Sequence, residues 1–285
     1  MLKTLVLGAS GYLGSRLLSS FDNSSGTYYS SSPSSKLNLY RLDALDTKRL
    51  SALISDVCPD IVINCIALTS VDSCEDNPEK SWMINCELPG EVAKICRSRG
   101  IKFVQISTDH YVNNKDTKIL ETDTVSSTNQ YSFTKLSAEK LVLSLNPNAM
   151  ILRTNFFHFN LSDPQTFLDN LILNCKNNVI THSFSDVWFS PVSTRTLVLY
   201  LKKLLEIDFS GLINISSNEI ISKYEFHQQV LNCFGVSNNS HKPISVTKVS
   251  LKALRPKNMS LDNSKLIKVT KVTMPSIYDM IKEEI

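Results

Sequence analysis

"LVLGASGYLG", Leu5 to Gly14, is the stretch on which the fold turns. It starts inside a short apolar run, "KTLVLG", and passes directly into "YLGSRLLSSF", which has helical spacing. Between the two, Gly8, Gly11 and Gly14 fall as G-x-x-G-x-x-G. Glycines at a strand-to-helix junction permit a tight turn and let the backbone approach a pyrophosphate. The helix N-terminus then offers N–H groups and the positive end of its dipole. A bare glycine pattern is weak, and a purely structural turn is the alternative; the placement between a first strand and a first helix gives it weight. An acid near the end of the second strand would bind the 2′-hydroxyl of NAD. That region reads "GTYYSSSPSSK", which has hydroxyls and Lys36 but no carboxylate. It favours NADP(H), with NAD(H) as the other reading.

Beyond this stretch, apolar runs continue to alternate with helical patterns. "GTYYS", "DIVINCI", "KFVQIS" and "AMILRT" read as strands, and "TKRLSALISDV" and "QYSFTKLSAEKLVLSL" as helices. "EKSWMINCELPGEVAKICRSRG" reads as one long helix perturbed by Pro89 and stopped by Gly100. Such alternation implies a parallel sheet covered on both faces, a doubly wound, Rossmann-type α/β fold. After Arg153 the order is less regular. "STRTLVLYLKKLLEI" and "SKYEFHQQVLNCFG" are helical, the second with a Ser222–Glu225 capping box and a Gly235 stop. "GLINIS" is a strand and "RPKNMSLDNSKL" is loop-like. The expected organisation is a dinucleotide-binding domain over residues 1–155, with 188–216 packing back on it, and a smaller substrate-binding lobe over 156–285. The serine-rich "SSFDNSSGTYYSSSPSSK" has linker composition and reads as a surface loop within one domain.

The bulk numbers exclude several classes. The chain has 285 residues, 42% of them hydrophobic, and a formal net charge of only +3. Lys and Arg are scattered, so no nucleic-acid surface is indicated. The longest apolar runs are too short to cross a membrane, and the N-terminal run is too short for a signal peptide. The seven cysteines are odd in number and show no Cys-x-x-Cys spacing. They read as reduced thiols in a cytoplasmic protein, without a disulfide framework or a metal site.

Tyr-x-x-x-Lys occurs three times, at Tyr111–Lys115, Tyr131–Lys135 and Tyr278–Lys282. Composition alone would give about one match. The two side chains cooperate only on one face, which four-residue spacing on a helix provides. "YSFTKLSAEKLVLSL" has no Gly or Pro and keeps apolar spacing through Leu136, Leu141 and Leu145. "YVNNK" carries turn chemistry, and "YDMIK" lies at the chain end as a surface pair. Ahead of the second pair, "FVQISTDH" ends a predicted central strand with Ser107, Thr108 and Asp109. In a doubly wound sheet that edge binds ligands. A phenol titrates at about 10, and a nearby ammonium favours its ionised form. Thr108, or Ser107, would hold the substrate oxygen.

With these residues together, the chain resembles the extended short-chain dehydrogenase/reductases. Within them it is most similar to the dTDP-4-dehydrorhamnose reductase family of sugar-nucleotide 4-ketoreductases. The resemblance runs nearly end to end, through "GASGYLGSRL", "LDALD", "PDIVINCIALTSVDSCEDNPEKSWMINCELPGEVAKIC", "VQISTD", "YSFTKLSAEKL", "ILRTN", "FSPVSTRTLVLYL", "GLINIS" and "RPKNMSLDNSKL". It implies that Gly8, Gly11, Tyr12, Leu13 and Gly14 hold the pyrophosphate. Asp43 and Ala44 would lie by the adenine, and Asn64, Cys65 and Ala67 would line the ribose. Thr108, Tyr131 and Lys135 would be the catalytic group, with Lys135 also on the nicotinamide ribose.

Departures from the family cluster where substrate should lie. "STDHYVNN" replaces the usual "STDYVFDG", so His110 is either a loop residue shaping the turn or a substrate contact. "RTNFFHFN" brings Phe156 where an aromatic Trp is common, and "SDVWFSP" brings Trp188. Ser107 and Arg255 complete the candidate substrate contacts. The resemblance implies an NAD(P)H-dependent reduction of a nucleotide-diphosphate 4-keto-6-deoxyhexose in surface-polysaccharide precursor synthesis. For the assembly a homodimer is one option, which the sequence leaves open. Two rivals share the fold. One is an epimerase or dehydratase, for which Asp109 beside Thr108 is suggestive. The other is a non-catalytic subunit like the β subunit of methionine adenosyltransferase.

Overall fold

The apolar runs become the strands of one parallel sheet. The computed structural model describes residues 2–30, 38–115, 117–160 and 166–285. In order these form β1 (Thr4–Leu7), α1 (Tyr12–Ser20), β2 (Ser24–Tyr28), β3 (Asn38–Arg41), α2 (Thr47–Val57), β4 (Ile61–Asn64), α3 (Val71–Asp76) and α4 (Pro78–Trp82). A π-helical turn (Met83–Glu87), α5 (Leu88–Ser98), β5 (Lys102–Ile106), α6 (Gln130–Leu145) and β6 (Met150–Thr154) follow. Next come β7 (Phe156–Phe157), α7 (Phe167–Lys176), β8 (Thr181–Phe184), β9 (Trp188–Phe189), β10 (Val192–Ser193), α8 (Thr194–Glu206) and β11 (Gly211–Ile215). The chain closes with β12 (Ile221–Ser222), α9 (Lys223–Cys233), β13 (His241–Ile244), α10 (Ser264–Thr270) and α11 (Ile277–Glu284).

The described residues fall into two compact units. The first comprises Met1–Thr108, Asn129–Arg153 and Leu205–Ile213; the second comprises Asp109–Thr128, Thr154–Leu204 and Asn214–Ile285. The seven-stranded sheet has the order β11-β6-β5-β4-β1-β2-β3, and its registered pairs around β1, β4 and β5 are parallel. The chain leaves β1 towards β2 on one side and returns to β4 on the other. That reversal is the point where a doubly wound sheet takes its ligand, beyond the strand C-termini. Leu5, Leu7, Val62, Phe103 and Ile151 from the strands pack with Leu50 and Ile54 of α2, Val92 and Cys96 of α5 and Val142 of α6. Burial on this scale is the main favourable term holding the layers together. The second unit carries three two-stranded ladders, β7–β10, β9–β12 and β8–β13.

Several elements differ from the sequence reading. The serine-rich stretch is not all loop. β2 begins at Ser24, two residues before the expected "GTYYS", and Ser24, Ser25 and Thr27 are buried in it. The strand packs closely against the glycine loop, since a Cβ on Gly26 would come 2.5 Å from the Ala9 Cβ. The edge strand β3 was not anticipated, and Lys36 lies outside the described residues. The long helix before Gly100 is three pieces. Leu88 N–H bonds to the Met83 carbonyl across the π-turn. This widened turn lies just ahead of Pro89, which has no N–H to give and would crowd the carbonyl four residues back. Gly100 ends the run with φ +67°, as expected. α7 was also unforeseen; Thr166 and Asp169 form its capping box. The tail "RPKNMSLDNSKL" is irregular only as far as Asn263, where α10 starts.

The glycines of the loop are not equivalent. A Cβ on Gly14 would lie 2.1 Å from the Gly8 carbonyl oxygen, whereas one on Gly11 would meet nothing nearer than 3.6 Å. Gly14→Ala is therefore expected to cost about 3 kcal/mol, the upper end of ordinary overpacking. Gly11→Ala should cost about 1 kcal/mol or less, the scale of a changed N-cap residue. Urea unfolding of the two variants checks the difference.

Candidate active site

The glycine loop has the shape of an anion cradle. Gly8 has φ +82°, and a Cβ there would come 3.0 Å from Ile66 Cγ1, so only glycine fits without strain. Its N–H donates to Thr27 Oγ1 at 3.2 Å, and Ala9 N–H donates to the Thr27 carbonyl at 2.7 Å. Gly11 is the N-cap of α1, and among the described residues no side chain caps that helix. By contrast, Asp46, Ser70 and Asn129 cap α2, α3 and α6. Tyr12 is exposed at the head of α1, while Leu13 and Gly14 are buried. A helix start capped by no side chain among the described residues, behind a glycine turn, fits a dinucleotide pyrophosphate held by backbone N–H groups.

Across the reversal, β4 ends at Asn64, whose amide donates to Gln105 and whose Oδ1 accepts from Ile66 N–H at 3.1 Å. Cys65 N–H donates to the Leu7 carbonyl, tying the two loops side by side. Burial pushes the Cys65 thiol up to about 12, so it stays neutral; Ala67 follows it in the same loop after β4. Asp43 accepts from Leu45 N–H at 3.0 Å in the turn before α2, and Ala44 is buried next to it.

The pair Tyr131 and Lys135 sits on α6, which starts at Gln130 with an Asn129–Ser132 capping box. Its buried face is not the leucine stripe expected from the sequence. Leu136, Leu141 and Leu145 are half-buried, and the face turned inward carries Tyr131, Lys135, Ala138, Glu139 and Val142. Lys135 donates to the Ile106 carbonyl at 2.7 Å, and Ile106 ends the strand that leads to Thr108. Burial lowers Lys135 to about 8, against the opposing pull of Glu139 and Cys65. The other two pairs do not form such a face. Lys115 is ion-paired with Asp123 while Tyr111 is fully buried. Tyr278 is 53% exposed, with the Lys282 ammonium 5.7 Å from its ring centroid.

Two supporting groups escaped the sequence reading. Glu139, one turn beyond Lys135, is locked to Arg153 by three hydrogen bonds of 2.6–3.1 Å and accepts from the Ser107 hydroxyl. All three are buried. Ser107 thus orients the strand end from inside the protein. The signal was the ionisable run Tyr131, Lys135, Glu139 at four-residue spacing. The second group is Asn85 in the π-turn. Its side chain accepts from Leu68 N–H at 2.8 Å and donates to the Leu68 carbonyl at 3.0 Å. It also donates to Thr134 Oγ1 at 3.3 Å, and Thr134 donates to the Tyr131 carbonyl. One amide therefore fixes both the loop after β4 and the first turn of α6.

In the second unit, of the candidate substrate residues, His110 lies near the cations Lys223 and Arg255. His110 is held neutral, lowered to about 3 by burial and then by the nearby cations Lys223 and Arg255. Lys223, which the sequence reading missed, lies with its ammonium 3.3 Å from the Phe189 ring centroid. Burial lowers it to about 8, opposed by Asp109. Asp109 also accepts from the Asn155 amide at 2.8 Å. Trp188 pairs in register with Ser222, exchanges backbone bonds with Lys257 and Met259, and is 38% exposed. Arg255 donates to the Ala253 carbonyl at 2.7 Å. Phe156 belongs to a different ladder, opposite Val192.

A parallel sheet with a glycine loop after its first strand and a Tyr–Lys helix beside its fifth defines the extended short-chain dehydrogenase/reductase class. Residues 2–285 match the model described as the RmlD substrate binding domain, and the chain belongs to that family. A probable low-salt glycan biosynthesis reductase from Haloferax volcanii is 28% identical over 96% of this chain and 94% of its own length. Methionine adenosyltransferase 2 subunit beta from Mus musculus is 27% identical over 93% and 81%. A crystal structure of a dTDP-4-dehydrorhamnose reductase from Clostridium acetobutylicum superposes with TM-score 0.86 at 25% identity, covering 99% of this chain and 98% of that one.

Removing Arg153 would strand a buried carboxylate. Arg153→Met is expected to lower stability by about 3–5 kcal/mol, the usual cost of breaking a buried pair from one side. The double variant Arg153→Met with Glu139→Leu should recover much of that loss, and denaturant titration of the series checks it.

Proposed function

We propose that this chain is an NAD(P)H-dependent reductase of a nucleotide-diphosphate 4-keto-6-deoxyhexose, acting in nucleotide-sugar and surface-polysaccharide synthesis. The observation that carries it is the buried Lys135 ammonium. It shares one helix face with Tyr131 and is anchored to the carbonyl of Ile106, two residues ahead of Thr108. The proposed cofactor is NADP(H). Gly8, Gly11, Tyr12, Leu13 and Gly14 hold its pyrophosphate, Asp43 and Ala44 lie by the adenine, and Asn64, Cys65, Ala67 and Lys135 hold the riboses. Residues 1–155 serve this role in the proposal. Residues 156–285, together with His110, serve the sugar nucleotide in the proposal; Ser107, whose hydroxyl donates to Glu139, supports the strand end instead.

A bound reduced nicotinamide supplies hydride to the C4 carbonyl. Thr108 donates a hydrogen bond to the ketone oxygen. Tyr131 gives its proton to the alkoxide that develops there, and the Lys135 ammonium stabilises the charge left on the phenol oxygen. Proton transfer of this kind is worth roughly 10²–10⁴ in rate. The glycan biosynthesis reductase among the relatives supports a sugar-modifying reductase. An epimerase or dehydratase reading leaned on Asp109, whose carboxylate is engaged by Asn155 and neighbours Lys223.

The second reading is a subunit of an assembly. It is favoured by the several vertebrate methionine adenosyltransferase 2 subunit beta chains among the relatives, which are nearly as similar as the glycan reductase. Turnover separates the readings. The purified chain, given NADPH and a panel of nucleotide 4-keto sugars, should show net loss of NADPH absorbance with at least one. No turnover together with retention of a larger catalytic partner supports the subunit reading.

Tyr131→Phe should lose about 10²–10⁴ in kcat and still bind NADPH. Tyr278→Phe, at an exposed surface pair, should lose nothing. A Tyr131→Phe enzyme with full activity would reject the assignment. The pH profile gives an independent check. Lys135 is cationic below about 8, and reduction needs both the cation and a protonated Tyr131. kcat/KM, which reports the free enzyme, should therefore fall as pH rises through about 8. Stability moves the other way. Between about 8 and the ordinary 10.5 the unfolded chain holds the proton that folded Lys135 has lost. This residue's contribution to folding therefore improves with rising pH across that window.

A further inference from the structure

The second strand ends without an acid. Tyr28, Tyr29 and Ser30 stand where a carboxylate would take the ribose hydroxyls of NAD. Arginine stands beside that strand end instead. β3 runs parallel to β2 with Arg41 opposite Tyr28, and Arg41 Nε donates to the Tyr29 carbonyl at 3.3 Å. Arg49 comes from the first turn of α2. Tyr29, Arg41, Asp43 and Arg49 line one cavity of about 300 Å³. The strand beneath it touches the glycine loop directly, through Gly26 against Ala9 and Thr27 against Gly8. The cavity therefore belongs to the adenosine end of any dinucleotide held on that loop.

Its charge discriminates between the two nicotinamide cofactors. The lining carries two guanidinium groups and one carboxylate. The Asp43 carboxylate is occupied by its own turn, accepting from Leu45 N–H. The Arg49 backbone N–H donates to the capping Asp46 carboxylate. Neither arginine is in an ion pair among the described residues. Both are solvent-exposed. A ribose hydroxyl would need the acid and would leave both cations idle. A phosphate monoester would engage both, because each guanidinium offers a planar fork of donors to phosphate oxygens.

We propose that Arg41 and Arg49 clamp the 2′-phosphate of NADP(H) and set the cofactor preference of this chain. The proposal rests on the dinucleotide reading of the glycine loop. Calorimetric titration with NADP⁺, NAD⁺ and 2′,5′-ADP, which has the phosphate but no nicotinamide, tests it without turnover. The wild-type chain should bind NADP⁺ and 2′,5′-ADP roughly tenfold or more tighter than NAD⁺, the scale of one charge-assisted hydrogen bond or better. Arg41→Ala and Arg49→Ala should each weaken NADP⁺ and 2′,5′-ADP roughly 10- to 100-fold, as expected for lost charged hydrogen bonds. NAD⁺ should shift by no more than about twofold, since it lacks the group the arginines hold. Unchanged urea midpoints would show that the folds are intact. A wild-type chain that binds NADP⁺ tightly, with variants that do so equally, overturns the clamp alone. NADP⁺ and NAD⁺ weakening in parallel, or a wild-type preference for NAD⁺, overturns it as well. A wild-type chain that binds none of the three overturns the dinucleotide reading and the clamp with it.

Discussion

The hydrogen bond from Lys135 to the Ile106 carbonyl is the constraint around which the first unit is arranged. An ammonium removed from water needs acceptors and compensating charge, or it loses its proton. Here the strand end supplies the acceptor and Glu139, one turn along α6, supplies the charge. Glu139 in turn has to be satisfied, and Arg153 at the end of β6 does so in bidentate fashion. The network therefore ties α6 to the C-terminal ends of two adjacent strands. Most of an inward helix face has been given over to polar groups, so packing there is directional rather than merely hydrophobic. In a low-dielectric interior such hydrogen bonds are strengthened, and they hold this face of α6 in one arrangement against the two strand ends.

The fold was legible because its signals were local and redundant. Continuous apolar runs marked β1, β4, β5 and β6, and the glycine loop marked their order. What escaped had weak local signals. β2 is built mostly from serine, glycine and threonine and shows no apolar run, although Gly26 packs so closely on Ala9 of the glycine loop that a Cβ would come within 2.5 Å. β3 is a four-residue edge strand with only modest burial, so it shows no hydrophobic pattern. The π-turn adds one residue to a helical turn ahead of Pro89. No propensity scale carries a signature for that.

The site was legible in part, for a related reason. Tyr131 and Lys135 were singled out over two look-alike pairs by helical context, and both lie on the inward face of α6, whereas Lys115 is ion-paired with Asp123 and Tyr278 is exposed. The leucines used to argue for the helix, however, are not its buried face. The spacing argument identified a helix without saying which side turns inward. A polar face is buried here because the partners it needs, Ile106 and Arg153, lie far away in sequence. Lys223 was missed for the same reason. Its proximity to Asp109, His110 and Phe189 is created wholly by the tertiary structure of the second unit.

The cofactor question shows how adjacency in a parallel sheet can mislead a linear reading. The natural place to look for a ribose or phosphate ligand is the residues that directly follow the second strand, and there the chain offers only hydroxyls and a lysine outside the described residues. A parallel neighbour, though, brings its own C-terminal end to the same edge, and the helix that follows starts there too. Arg41 and Arg49 reach the edge by that route, thirteen and twenty-one positions past Tyr28 in sequence but beside it in register and turn. Because side chains at that edge come from every strand ending there, the sign of the local charge has to be summed over neighbouring strands. Summed in that way, the cavity sets two guanidinium groups against the one Asp43 carboxylate, and that positive excess favours an anionic group there for one electrostatic reason.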